Sequence, residues 1–265
     1  MRGRHADKRS RGAARTSARL MRATRFITLT AALALPGATV AQTATANPLV
    51  AVDVGHTLDA PGAISARGRT EFEFNRELAG RIVAALERLG LRAELINADG
   101  RIESLQARPE RAAQAAFLIS IHHDSVGERY LTPWEWQGMA LDFSDAWAGH
   151  SLFVSRRNPD VAASLMCASA IGARLQRAGF VPTEKNGRRR EYADAQHATH
   201  FYDNLVVLYR AQQPALLFEA GVIKHRDEEL LLRDPERQQR MAEEIATGVA
   251  ACVTAGGLAA TRRGE

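Results

Sequence analysis

Residues 117–125 read FLISIHHDS. Five mostly apolar residues run straight into two adjacent histidines, an aspartate and a serine, so what reads as a buried strand carries titratable chemistry at its end. Working outward, LVAVDV (49–54) is a second run of this kind and stops at Gly55-His56, and ALLF (215–218) is a third and stops at Glu219. A Gly-rich loop through Pro61, Gly62 and Gly68 follows the earlier run. From Phe74, Leu78, Ile82, Ala85 and Leu89 recur at helical spacing up to Gly90, a helix stop. LRAELI (91–96) predicts another strand, and Glu103 to Ala115 a second amphipathic helix. Strand, helix, strand, helix, strand is an α/β pattern. We expect a single-domain three-layer αβα sandwich around a central, mostly parallel (mixed) sheet of about six strands, SLFVS (151–155) and LVVLY (205–209) being the other two.

The rest of the chain adds two helices and two irregular segments. Asn158-Pro159 predicts a helix start, with Val161, Leu165, Ala168, Gly172 and Leu175 on one face, and Asp234-Pro235 opens a final helix through Met241, Ile245 and Val249. Residues 126–150, with Trp134, Trp136 and Trp147, show no regular period, and these aromatics are expected to pack rather than form a sugar-stacking wall. The polar stretch TEKNGRRREYADAQHATH is expected to leave the core as an irregular surface insertion around 184–200.

Composition narrows the class. The chain has 265 residues, 46% hydrophobic and 25% charged, which suits one globular domain. Its net charge of +5 does not point to nucleic acid, because residues 1–41 hold nine Lys/Arg and one Asp; the remainder has 26 basic and 29 acidic residues. Arg22 and Arg25 precede the apolar run FITLTAALALPGATVA, which ends in the small-residue pattern Thr39-Val40-Ala41. That predicts a signal peptide over 1–41, with Met21 a candidate initiator, cleavage near Ala41, and an exported, periplasmic protein. The run falls short of the roughly 20 residues a spanning helix needs, so no stable membrane insertion is expected after processing. Two cysteines, Cys167 and Cys252, make no disulfide framework; buried free thiols are the expectation, a bridge the alternative.

The candidate chemistry lies at strand ends. His56, His122 and Glu219 each stand where an apolar strand gives out, and in open α/β sheets ligand sites lie beyond the carboxyl ends of the strands. Two histidines and a glutamate match the three nitrogen or oxygen ligands of a catalytic zinc site, which leaves a fourth position for water. A further carboxylate would serve as base, and Glu71 and Glu73 are the candidates. Consecutive strand residues face opposite sides, so only one of His122 and His123 can reach an ion while the other packs. Asp53 and Asp124 are candidate acceptors that would orient an imidazole, or are structural.

VDVGHTLDAPGA, GRTEFEFN, SIHHDS and LLFEAGVIKHRDEE, in that order across residues 48–254, resemble the signature blocks of the zinc-dependent N-acetylmuramoyl-L-alanine amidases of the cell-wall-hydrolase type. The resemblance implies that His56, Glu71 and His122 bind Zn2+, that Glu219 is the catalytic base, that Glu73 is a solvated first-turn carboxylate, and that peptidoglycan is the substrate. Glu71 matches because it stands three residues after Gly68, with Phe74 and Asn75 three and four positions further on. Some periplasmic relatives carry, near the position of 184–200, a segment that covers the metal and is released by an activator protein, so an activator is a candidate partner. DVGHTLD and INADGR depart from the commonest family pattern, which touches substrate contacts and none of the four chemical positions. The alternatives are a zinc peptidase or carboxypeptidase on stem peptides, or a catalytically silent peptidoglycan-binding regulator. A shared ion requires the rings of His56 and His122 to lie within about 8 Å of each other.

Overall fold

The computed structural model describes residues 47–255; the expected signal peptide lies outside them. In chain order the elements are β1 (Leu49–Val54), α1 (Glu71–Arg88), β2 (Arg92–Ile96), α2 (Ala107–Arg111), β3 (Phe117–Asp124), β4 (Thr132–Trp136), β5 (Met139–Phe143), β6 (Ser151–Val154), α3 (Val161–Arg177), β7 (Tyr192–Asp194), β8 (Thr199–Phe201), α4 (Val206–Arg210), β9 (Ala215–Val222), α5 (Arg226–Arg233) and α6 (Pro235–Ala255). Seven strands form one sheet in the order β2-β1-β3-β9-β6-β8-β7. The first four are mutually parallel, β6 runs antiparallel to β9, β8 runs parallel to β6, and β7 closes the edge antiparallel to β8.

The apolar runs are continuous because both faces of the sheet are covered. Val50, Val52 and Val54 of β1, Phe117, Ile119 and Ile121 of β3, and Leu216, Phe218 and Ala220 of β9 face one core, shared with Leu78 and Ile82 of α1, Ile171 of α3 and Ile245 of α6. Ala51, Leu118 and Leu217 face the other, under Ala107 of α2 and Val207 and Leu208 of α4. Burying a Leu, Ile or Phe side chain contributes about 1.5–3 kcal/mol. The sandwich is thus three-layered, as expected. From β1 the chain crosses to β2 on one side and returns to β3 on the other, which makes the β1/β3 boundary a topological switch point.

Four expectations are corrected. LVVLY forms α4, not a strand: a short apolar run cannot be assigned by periodicity alone, and the strand positions on both sides of β9 are taken by β3 and β6. The stretch around 184–200 is not an irregular surface loop, since it contributes β7 and β8, and His200 within it is fully buried; losing one strand and gaining two accounts for seven rather than six. The second predicted helix shrinks to Ala107–Arg111, because Pro109 has no N–H and is tolerated only in a first turn. Cys167 and Cys252 are not free thiols: they are joined, Cα atoms 5.1 Å apart, and tie α3 to α6.

Residues 126–150 also carry more structure than their sequence suggests. β4 and β5 form a separate antiparallel hairpin whose turn residues Gln137 and Gly138 both have positive φ, the backbone of a two-residue turn matched to strand twist. Trp134 and Trp136 stack on each other at 5.5 Å, the Arg67 guanidinium lies 4.8 Å from the Trp136 ring, and Trp134 Nε1 donates to the Ala66 carbonyl. These two tryptophans pack, as expected. Among the described residues, no helix is long and apolar enough to cross a membrane.

Candidate active site

His56 is the first side chain beyond β1 and Gly55, in a backbone conformation with φ of 67° that non-glycine residues rarely adopt. Two partners from the opposite side hold it there: Asn97 Nδ2 donates to its carbonyl at 2.7 Å and Arg108 Nη2 does so at 2.6 Å. Glu71 is the first residue of α1. The helix starts there because Thr70 and Glu73 form a capping box, Thr70 N donating to Glu73 Oε2 at 3.0 Å and Glu73 N to Thr70 Oγ1 at 3.4 Å. Glu73 is therefore engaged in capping, and Glu71, two residues earlier, is buried toward the sheet. His122 lies on β3, next to Glu219 in the register with β9.

Glu71 Oε1 lies 3.0 Å from His56 Nε2 and 3.0 Å from His122 Nδ1. The two imidazole centroids are 5.0 Å apart and their planes cross at 71°, inside the separation a shared ion demands. One ligand atom from each residue lies within 4.8 Å of the others, which suits a cation with bonds of about 2.0–2.2 Å after small side-chain adjustments. Two imidazoles and a carboxylate are the donor set of such a site, so the residues present fit a zinc ion. Burial alone would push the Glu71 carboxyl up, but hydrogen bonds from His122 and His56 hold it well below the usual carboxylate range.

Glycines make the room. A Cβ on Gly55 would lie 2.4 Å from His122 Nε2, and one on Gly62 would lie 2.5 Å from Glu71 Oε2 and 2.8 Å from His56 Nε2. Gly62 also has a φ of +78°. Side chains at either position would occupy the space in which the three groups meet.

His123 takes the packing role. It is buried beside Phe74 on the α1 face, with Nδ1 2.8 Å from Asn75 Oδ1, and burial pushes its pKa down to about 3. Asn75 in turn donates to the Gly55 carbonyl at 3.2 Å and to Glu71 Oε1 at 3.4 Å. One amide thus links the loop after β1, the helix start and the end of β3.

Glu219 has one oxygen, Oε2, shielded from solvent and without a hydrogen-bond partner. Burial first, then the charges of Asp124 and Glu71, push its pKa well above the ordinary value. The 3₁₀ turn at Asn186–Arg188 lies across this end of the sheet. Asn186 Nδ2 donates to Ser151 Oγ at 2.9 Å and Asp124 Oδ2 at 3.1 Å, Lys185 Nζ pairs with Asp124 Oδ1 at 2.5 Å, and Ser151 stands opposite Glu219 in the β6–β9 register.

Asp53 and Asp124 touch no imidazole. Asp53 is fully buried, with Arg108 Nη1 at 2.7 Å and Ser120 Oγ donating at 2.6 Å; Asp124 accepts from its neighbour Ser125 N at 2.7 Å besides its pair with Lys185. Arg108, Asn97 and Lys185 are site-supporting residues that sequence reading misses. Asn97 carries a local signal, an asparagine directly after a strand, where left-handed backbone is common; Arg108 and Lys185 carry none, because their partners are 55 and 61 positions away.

The family model described as N-acetylmuramoyl-L-alanine amidase (Amidase_3) matches residues 50–251. The chain belongs to that family of amide hydrolases acting on peptidoglycan. Solved structures share its fold. The catalytic domain of CwlV, an N-acetylmuramoyl-L-alanine amidase from Bacillus (Paenibacillus) polymyxa var. colistinus, is 24% identical, with 78% of this chain and 98% of that one covered and a TM-score of 0.60. Ami1 of Mycobacterium smegmatis is 21% identical, with 80% and 99% covered and a TM-score of 0.64. CwlD of Clostridioides difficile, solved in complex with the GerS lipoprotein, is 19% identical, with 79% and 100% covered and a TM-score of 0.60. No curated protein matches the chain.

Proposed function

We propose that this chain is an exported zinc amidase that cleaves the amide between the lactyl group of N-acetylmuramic acid and the L-alanine of the stem peptide, with His56, Glu71 and His122 as ligands and Glu219 as general base and acid. The observation that carries the reading is the convergence of two imidazoles on one carboxylate oxygen, each at 3.0 Å, from three separate elements. When bound, the ion supplies Lewis acidity and lowers the pKa of a water molecule. Glu71 keeps its negative charge because both imidazoles stabilise it. Asn75 and the glycines fix the approach of the three side chains.

Glu219 does the proton work. A carboxylate with a raised pKa is a stronger base than an ordinary surface glutamate, so it accepts a proton from the attacking water and returns it to the leaving amine of L-alanine. Asp124 engages Lys185 Nζ and Asn186 Nδ2, so neither of these donors is spent on Glu219 Oε2. Export to the periplasm is supported by the Cys167–Cys252 link, since such bonds persist in oxidising compartments. An activator that acts on the turn at Asn186–Arg188 is part of the same proposal.

The test is metal content by mass spectrometry together with product analysis on purified sacculi. An amidase releases intact stem peptides with free L-alanine amino termini. Products cut within the stem peptide would point to a peptidase instead, and binding without cleavage to a silent regulator.

A further inference from the structure

A cavity of about 160 Å3 opens beside the end of β3, where Val126 and Gly127 form part of its wall. Its other lining residues include Arg129, Tyr130, Trp147, Lys185, Arg188 and Arg189. Tyr130 and Trp147 meet edge to face with centroids 4.5 Å apart. The Tyr130 hydroxyl accepts from Arg129 Nη2 at 2.8 Å, and the Arg129 and Arg189 guanidiniums both lower its pKa.

The charge around this cavity is unbalanced. Lys185 is neutralised by Asp124, whereas among the described residues no carboxylate pairs with Arg129, Arg188 or Arg189, all three of which are exposed. Glu128 and Glu184, their nearest acidic neighbours in sequence, are exposed and make no such pair either. Some surface arginines elsewhere pair with acids, as Arg111 does with Glu103, Arg156 with Glu191 and Arg226 with Asp145, and others such as Arg92, Arg101 and Arg177 make no ion pair among the described residues; here three unpaired guanidiniums line one cavity. Guanidiniums present a fork of donors that matches a carboxylate, and here that acceptor is missing.

Position gives the cavity its relation to the reaction. Val126 is four residues from His122, so it lies at most about 14 Å from that residue's Cα. An extended peptide covers the same distance in three or four residues. Resting on the amidase reading, we propose that this cavity is a subsite for the acidic stem peptide, in which Arg129, Arg188 and Arg189 take a free carboxylate carried one to three residues beyond the scissile amide. The subsite discriminates between stem peptides with free and with amidated side carboxylates, which the four residues at the centre cannot do.

Calorimetry on the intact chain tests this with two probes, the tripeptide L-alanyl-γ-D-glutamyl-L-lysine and the same peptide with the glutamate α-carboxylate amidated. The expected result is that the free acid binds on the order of tenfold more tightly than the amide, and that the ratio falls to about one in R188A/R189A and shrinks in R129A. Both arginines of the double variant are exposed and make no ion pair, so thermal unfolding should be unchanged, which guards against a folding artefact. An unaltered ratio in R188A/R189A, or equal binding of the two peptides by the wild type, overturns the subsite. Cleavage of sacculi is read in parallel. Discrimination without cleavage keeps the subsite and removes the amidase reading, whereas cleavage without discrimination does the reverse.

Discussion

Reduction of the Cys167–Cys252 link should lower stability by several kcal/mol while leaving the chemistry of the folded protein intact. The two cysteines are 85 residues apart and bridge α3 to α6. In the chain-entropy account, closing a loop of that length removes about 4.5 kcal/mol of unfolded-state freedom at 25 °C. For a domain of about 150–250 residues each kcal/mol moves the midpoint by about 2–4 °C, so a fall of about 9–18 °C is expected. Neither helix carries a residue of the candidate site. Reduced wild type retains the same packing atoms, so it isolates the cross-link, and C167A/C252A serves as the second arm. The assay is urea and thermal unfolding with and without reductant, with amidase activity measured at 25 °C on the folded protein. A loss below about 1 kcal/mol in both arms would refute the reasoning, and lost activity without lost stability would show that the bridge reaches the site.

Glu219→Gln should keep bound metal at wild-type stoichiometry and lower kcat by about 10²–10⁴, whereas His122→Ala should lose the metal; atomic-absorption metal content beside turnover separates the two. Gly62→Ala forces a Cβ to 2.5 Å from Glu71 Oε2 at a φ of +78°, so metal affinity should drop and stability fall by about 1–3 kcal/mol, measured by chelator competition and urea unfolding. Arg108→Ala strands the buried Asp53 carboxylate and should cost about 3–5 kcal/mol; a cost under 1 kcal/mol would show that Asp53 finds another partner. Burial lowers the pKa of His150 and His200 to about 4 from 6.5. Above pH 6.5 they are neutral in both states. Below it the unfolded chain takes up protons that the native state refuses, so each histidine should remove about 1.4 kcal/mol of stability per pH unit down to about pH 4. H200L should therefore show a shallower slope than wild type between pH 6.5 and 5.

The parallel half of the sheet was legible because β1, β3 and β9 are apolar runs that end in polar chemistry, and that ending also disclosed His56, His122 and Glu219. Glu71 could be told from Glu73 only through resemblance, although Thr70-x-x-Glu73 is a capping signature that assigns Glu73 to the helix start. The other half was opaque. β7 and β8 are three residues each, too short to show a period of two. The bridge between α3 and α6 depends on helix phase and packing, which spacing of 85 residues does not encode. Arg108 and Lys185 act on partners far away in the chain, so their neighbours in sequence say nothing of their work.

The clasp on the His56 carbonyl by Asn97 and Arg108 has a bearing on how the enzyme would recover from metal starvation. A loop already fixed in its unusual backbone conformation has no ordering left to undergo when an ion arrives. Such a protein would wait in competent shape and regain its ion at a rate set by supply rather than by rearrangement.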